Sequence, residues 1–283
     1  MQNAVRVWQR VLVCTGRLPA ERAREKRGAA VNLEMFSLQG KVAIVTGAGT
    51  GLGQGMATGL AHAGADIAGV DCISMSETEA AVREAGRRFL PIEADLSSIS
   101  PIAEIVSTTE RELGRLDILV NNAGIIRRED SIAFSEQDWD DVLNINLKTV
   151  FFFSQAAARQ FVKQAGPGKI INVASLLSFQ GGIRVPSYTA SKSGVMGLTR
   201  LLACEWARHG INVNAIAPGY MATNNTRPLR DDPARSAEIL GRIPAGRWGL
   251  PEDLCGPVVF LASSASDYVN GYTVAVDGGW LAR

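Results

Sequence analysis

From Leu38 onward, short apolar runs alternate with stretches long enough to form helices. The runs are Val42-Ala43-Ile44-Val45, Asp66 to Val70, Phe89 to Ile92, Ile118-Leu119-Val120, Ile170-Ile171-Asn172-Val173, Ile211 to Ile216 and Thr273 to Val276. They are rich in valine and isoleucine, with few polar interruptions. A strand with one wet face alternates apolar and polar positions, whereas a nearly continuous run belongs to a strand covered on both faces. Strands alternating with helices predict an α/β fold, a doubly wound parallel sheet of about seven strands with helices on both faces, in a single Rossmann domain. No Pro/Gly/Ser-rich linker or internal repeat interrupts the chain after Met35, so the domain is expected over residues 36–283. The stretch from Tyr220 to Trp248 breaks the rhythm with Arg227, Pro228, Arg230, Asp231, Asp232, Pro233, Arg235 and Pro244. An excursion of that length reads either as a lid over a site or as solvated surface helices.

The amino-terminal residues lack this rhythm and carry Arg6, Arg10, Arg17, Arg22, Arg24 and Arg27. Val11 to Cys14 is too short an apolar core for a signal peptide, and Glu21, Glu25 and Glu34 count against a transit peptide. Residues 1–35 are therefore expected to be an N-terminal extension. A disordered tail or translated sequence upstream of a start at Met35 is favoured over a targeting segment.

Composition narrows the function classes. The formal net charge is +1, so no strong field draws the chain to nucleic acid or an anionic membrane. No apolar run is long enough to span a bilayer. Cys14, Cys72, Cys204 and Cys255 are too widely spaced for a zinc knuckle or a redox pair, and read as reduced thiols of a cytoplasmic protein. His62 and His209 have no ligand-like neighbours, so no metal site is expected.

The first strand runs into Thr46-Gly47-Ala48-Gly49-Thr50-Gly51-Leu52-Gly53, and a helix follows. Glycines there let backbone N–H groups approach a pyrophosphate that the helix N-terminus attracts. A glycine-rich run is a weak signal alone, but strand-to-helix context strengthens it. Asp71 ends the second strand, where a carboxylate accepts hydrogen bonds from the adenosine ribose and repels a 2′-phosphate. Ala48, Gly49, Thr50, Cys72, Ile73 and Ser74 supply no cation to hold such a phosphate, so NAD is expected over NADP. Asp95 and Leu96 follow the third strand as candidates beside the adenine. Asn122, Ala123 and Gly124 follow the fourth and would line the cofactor groove.

Tyr188 and Lys192 are four residues apart, one turn of a helix, and so share a face. An ammonium and a positively charged nicotinamide beside a phenol should lower its pKa from about 10 and let it act as acid or base. Ser175 ends the fifth strand, placing a hydroxyl at the same sheet edge. Asn146 lies inside a long helical stretch, where asparagine is a poor helix former, which suggests a buried role.

From about Phe36 to Arg283 the chain resembles a short-chain dehydrogenase/reductase. The pieces that carry the resemblance are Thr46-Gly-x-x-x-Gly-x-Gly53, Asn121-Asn-Ala-Gly124, Asn146, Ser175, Tyr188-x-x-x-Lys192, and Pro218-Gly219 with Thr223, all in order. The resemblance implies that Tyr188 exchanges a proton with the substrate oxygen and that Ser175 orients that oxygen. It implies that Lys192 binds the nicotinamide ribose and lowers the tyrosine pKa, with Asn146 supporting a water relay to it. Ile216 to Gly219, Met221 and Thr223 would flank the nicotinamide. The resemblance also implies a homotetramer, with the tail from Trp280 to Arg283 near subunit contacts.

Other stretches resemble one subgroup, the 2-dehydro-3-deoxy-D-gluconate 5-dehydrogenases, also called 2-deoxy-D-gluconate 3-dehydrogenases. They are Ile126 to Asp130, Ser178 to Pro186, Gly219 to Thr226, Arg242 to Gly249 and Val276 to Arg283. This resemblance implies a small sugar-acid substrate from pectin and uronate breakdown. Arg128, Arg184 and the arginines of the 220–248 stretch are then candidates for its carboxylate, since guanidinium pairs bidentately with carboxylate. Gln180, Tyr220, Asn224 and Asn225 are candidates for its hydroxyls. A 3-oxoacyl-carrier-protein reductase, a polyol dehydrogenase and a catalytically silent NAD-binding protein are the alternatives. Asp71 argues against the first, and the intact set Asn146, Ser175, Tyr188 and Lys192 argues against the last.

Overall fold

The structure, a computed structural model, describes residues 33–283, of which Met35–Arg283 form one compact unit. The expectations for residues 1–32, including the arginine-rich segment and Cys14, lie outside the described residues.

Seven strands form one wholly parallel sheet: β1 Val42–Thr46, β2 Asp66–Asp71, β3 Phe89–Glu93, β4 Ile118–Asn121, β5 Gly168–Val173, β6 Ile211–Pro218 and β7 Thr273–Val276. Their order is β3-β2-β1-β4-β5-β6-β7. The apolar runs are continuous because both faces are covered. In β1, Ala43 and Val45 face one core while Val42 and Ile44 face the other, and β2, β4 and β5 alternate likewise. One core packs against α1 (Gly51–His62), α2 (Ser76–Glu84) and α9 (Cys255–Ala262). The other packs against α3 (Ile102–Leu113), α5 (Val150–Lys163) and α6 (Pro186–Trp206). Phe153 and Phe161 of α5 are fully buried there, each contributing roughly 1.5–3 kcal/mol of transfer free energy.

β2 lies on one side of β1 and β4 on the other, so the connections diverge at the carboxyl ends of β1 and β4 and open a crevice there. The turn leaving β1 is held tightly. Thr46 Oγ1 accepts from the backbone N–H of Asn122 (2.9 Å) and Ala123 (3.0 Å), and Asn122 Nδ2 donates to the carbonyls of Thr46 and Gly47. Gly47 and Gly51 take φ of +65° and +58°, conformations that favour glycine. A Cβ on Gly53 would overlap the Gly47 carbonyl, so α1 can start this close to β1 only with glycine there.

One element departs from the sequence expectation. The long helix carrying Asn146 is interrupted: α4 (Glu136–Leu143) passes into a π-helical stretch, Asn144–Thr149, before α5 resumes. π-turns of this kind occur often at functional sites.

Replacing Gly53 with alanine should cost about 1–3 kcal/mol of unfolding free energy by forcing the turn apart, and should weaken NADH binding. Denaturant titration and NADH fluorescence test this, and unchanged values in both would show that the turn tolerates the methyl group.

Candidate active site

Four sequence-predicted residues converge at the carboxyl edge of β4 and β5. Pro186, preset for the first helical position, starts α6. Tyr188 and Lys192 follow on its first turns, with Lys192 Nζ 5.5 Å from the centre of the Tyr188 ring. Lys192 is buried, and its ammonium donates to the carbonyl of Val173, the last residue of β5, at 2.7 Å. Ser178 Oγ donates to the Lys192 carbonyl (2.7 Å), pinning the same turn from the other side. Ser175, two residues beyond β5, hydrogen-bonds the Tyr188 phenol, and its Oγ also accepts from Leu177 N.

Asn146 is wholly buried on the π-helical stretch. Its Oδ1 accepts from Ile125 N and its Nδ2 donates to Ile125 O, both at 2.9 Å, with a longer contact to Ser191 Oγ (3.4 Å). It thereby joins the loop after β4 to α6, and the widened turn brings its amide to that loop.

The electrostatics differ from the sequence expectation in one respect. Burial pushes the Tyr188 phenol above its ordinary pKa, while the Ser175 hydrogen bond and the Arg128 charge pull against it without winning. Burial also lowers the Lys192 ammonium to about 8. The protein's own groups therefore do not create a phenolate, because removing charge from water costs more than these neighbours return.

The cofactor candidates are distributed as follows. Asp71 ends β2 with one carboxylate oxygen accepting from Gly49 N and the other from Cys72 N, both at 2.8 Å. A Cβ on Gly49 would meet Asp71 and Ile73 at about 3 Å, so the glycine keeps this groove open. No side chain caps the start of α1 at Thr50, leaving its N–H groups directed at the crevice beside Leu52. These features fit a dinucleotide. Gly124 abuts Asn146, and Thr223 lies against Gly51. Pro218 ends β6, and Gly219 is pressed so closely on Asp277 that no side chain fits. Three candidates are placed otherwise. Asp95 spends both carboxylate oxygens on Ser97, capping its own turn. The side chains of Leu96 and Met221 are buried in the two cores, which leaves only their backbones to face a ligand.

Beside Tyr188 opens a cavity of about 640 Å³ lined by Ser175, Gln180, Pro218, Gly219, Tyr220 and Asn225. Among the described residues four arginines, Arg128, Arg184, Arg235 and Arg242, also line it, and no Asp or Glu does. Asn224 does not reach it. Arg184, held at φ +63°, is ion-paired to Glu129 (3.4 Å) and Asp130 (3.1 Å), which weakens it as a carboxylate ligand. The 220–248 stretch contributes Leu229 of α7 (Arg227–Arg230) and both ends of α8 (Pro233–Arg242) to the cavity wall. Sequence reasoning missed Trp280, which packs against Tyr220 at a tilt (4.6 Å between ring centres) and hydrogen-bonds Gln180 (3.1 Å) from behind that wall. The signal was present as an aromatic residue next to a Gly-Gly pair near the C-terminus. A larger cavity, about 800 Å³, opens at the opposite sheet edge, where Lys41 and Lys169 are ion-paired to Asp117 and Asp267. It has no nucleophile–base arrangement. Among the described residues there is no cluster suited to a metal ion, and no helix is long and apolar enough to cross a membrane.

Residues 47–281 match the protein family described as Enoyl-(Acyl carrier protein) reductase. The chain is 70% identical over 251 residues to 2-dehydro-3-deoxy-D-gluconate 5-dehydrogenase of Escherichia coli (strain K12), covering 89% of this chain and 99% of that one. It is 71% identical to the enzyme of the same name from Dickeya dadantii (strain 3937), with equal coverage. Among solved structures, a provisionally assigned 2-deoxy-D-gluconate 3-dehydrogenase from Agrobacterium tumefaciens with bound NADP is 54% identical, with a TM-score of 0.81. That match covers 88% of this chain and 99% of that one.

Folding lowers the Lys192 pKa from 10.5 to about 8, so between those values the unfolded chain holds the extra proton. Stability contributed by this group therefore rises with pH through that window. Relative to wild type, Lys192→Met should be most favoured near pH 7.5 and lose that advantage toward pH 10, measured by denaturant unfolding. A pH-independent difference would show that the ammonium carries no burial penalty.

Proposed function

The chain belongs to the short-chain dehydrogenase/reductase family and is a nicotinamide-dependent oxidoreductase; from that premise we propose that its substrate is a keto or hydroxy sugar acid, 2-dehydro-3-deoxy-D-gluconate, oxidised at C5 and regenerated from the 2,5-diketo acid. One observation carries the choice of an anion: among the described residues, four arginines and no acidic residue line the cavity beside Tyr188. Arg184 and Arg235 are ion-paired, but Arg128 and Arg242 have no acidic partner among the described residues, so the wall keeps a positive charge that raises the local concentration of a small carboxylate and disfavours cationic competitors. The names of the Escherichia and Dickeya relatives support the same substrate.

The glycine turn and the start of α1 would hold the cofactor pyrophosphate, Asp71 the adenosine ribose, and Pro218 to Thr223 the nicotinamide end. When bound, the nicotinamide accepts or supplies the hydride and, oxidised, brings a positive charge. Tyr188 moves the proton at the substrate oxygen. Ser175 donates to that oxygen and keeps the phenol aimed. Lys192, clamped to Val173 O, keeps a cation beside the phenol. Tyr188 alone is held protonated by burial, which suits it to donate in the reducing direction.

We also assign NAD over NADP, although the Agrobacterium relative holds NADP. The Asp71 carboxylate is fixed by two backbone donors and has no cationic partner among the described residues, so a 2′-phosphate would meet an uncompensated negative charge. The KM for NADH should be about 10-fold or more below that for NADPH, and Asp71→Ser should narrow the gap. A lower KM for NADPH in the wild type would reverse the assignment.

Tyr188→Phe should reduce turnover of the 2,5-diketo acid about 100- to 10,000-fold while leaving NADH binding near wild type. Retention of turnover would remove the phenol from the chemistry, and no NADH oxidation by the wild type with this acid would overturn the substrate.

A further inference from the structure

Resting on the sugar-acid reading above, we infer that Arg242 binds the substrate carboxylate and thereby selects the carbon that reacts, acting from the Trp280 wall of the cavity. The four cavity arginines are not equivalent. Arg184 is paired with Glu129 and Asp130, and Arg235 is paired with Glu238. Arg128 gives one N–H to the Asn225 carbonyl at 3.1 Å, and its charge acts on the Tyr188 phenol. Arg242 alone of the four has no hydrogen-bond or ion-pair partner among the described residues. Its guanidinium lies 4.1 Å from the Trp280 ring centre. A stacked guanidinium is held in place through its face, while its N–H groups stay free in the plane to grip a carboxylate bidentately.

The platform beneath it is fixed. Trp280 is buried and its indole N–H donates to Gln180 Oε1 (3.1 Å). Asp277 accepts from Gly279 N and Leu281 N, anchoring the turn that carries the indole, and Arg283 donates to Gly241 O at the end of α8. The Arg242 cation is therefore positioned before any ligand arrives, which limits the ordering entropy that binding must overcome.

Position then sets regiochemistry. In an extended six-carbon acid, C5 lies about 5 Å from the carboxyl carbon and C3 about half that. Of the four arginines only Arg128 acts electrostatically on the Tyr188 phenol, so a carboxylate placed at Arg242 instead leaves the far end of the chain for the phenol. A carboxylate drawn to Arg128 brings the near end there. Arg242 thus favours reaction at C5, and its loss shifts preference toward acids that react at C3.

Arg242→Gln and Arg242→Lys test this against the 2-dehydro-3-deoxy acid, its neutral methyl ester, and 2-deoxygluconate. Arg242→Gln should raise KM for the first acid about 10- to 100-fold, with a much smaller effect on the ester and little change in kcat. Lysine should restore part of the loss, and the ratio of 2-deoxygluconate to 2-dehydro-3-deoxy acid turnover should increase. An equal KM change for acid and ester, or none for the acid, would overturn the role of Arg242 while leaving the substrate reading intact. Failure of the wild type to turn over the acid at all would remove that reading, and this inference with it.

Discussion

The site depends on a cation kept where water would not leave it. Lys192 is buried at the carboxyl end of β5 and tied to the Val173 carbonyl at 2.7 Å. An ammonium so placed is costly to bury, and its lowered pKa expresses that cost. The hydrogen bond does more than offset part of the penalty. It fixes the azimuth of α6 relative to the strand that delivers Ser175, so the phenol, the hydroxyl and the ammonium share one register. Ser178 holds the same helical turn by its carbonyl, and Asn146 reaches α6 from the neighbouring helix through Ser191. A short polar lattice thus replaces apolar packing at the one place where chemistry requires polar groups.

Much of this was legible in the sequence because it is written in short-range patterns. The seven strands follow the apolar runs to within a residue or two, since strands buried on both faces have little freedom in composition. The Tyr188–Lys192 spacing is a helical repeat, and the glycine turn is forced by the clash a Cβ would meet at Gly53. What was not legible depends on contacts between distant positions. The Arg184 pairing with Glu129 and Asp130 and the stacking of Arg242 on Trp280 are set by how loops meet, which periodicity does not encode. The burial that raises the Tyr188 phenol was not legible either, because charged neighbours are visible in sequence and burial is not.

The two sheet edges contrast instructively. The amino edge carries the larger cavity, yet its lysines are neutralised by Asp117 and Asp267. The carboxyl edge carries a smaller one with cationic groups left over. Size marks where chain ends and loops leave space, whereas uncompensated charge marks where a partner is meant to complete the balance.

The π-helical stretch at Asn144–Thr149 has a consequence for how this helix tolerates change. One wide turn holds a residue more than regular winding would. Deleting a single residue there would let α4 run smoothly into α5 and give a more ideal helix, but it would swing everything on one side of the deletion by about 100° around the axis. Asn146 would then face away from the loop it now bridges. At this point the chain gives up regular winding to aim one amide, so the segment's length, as well as its composition, sets where that amide points.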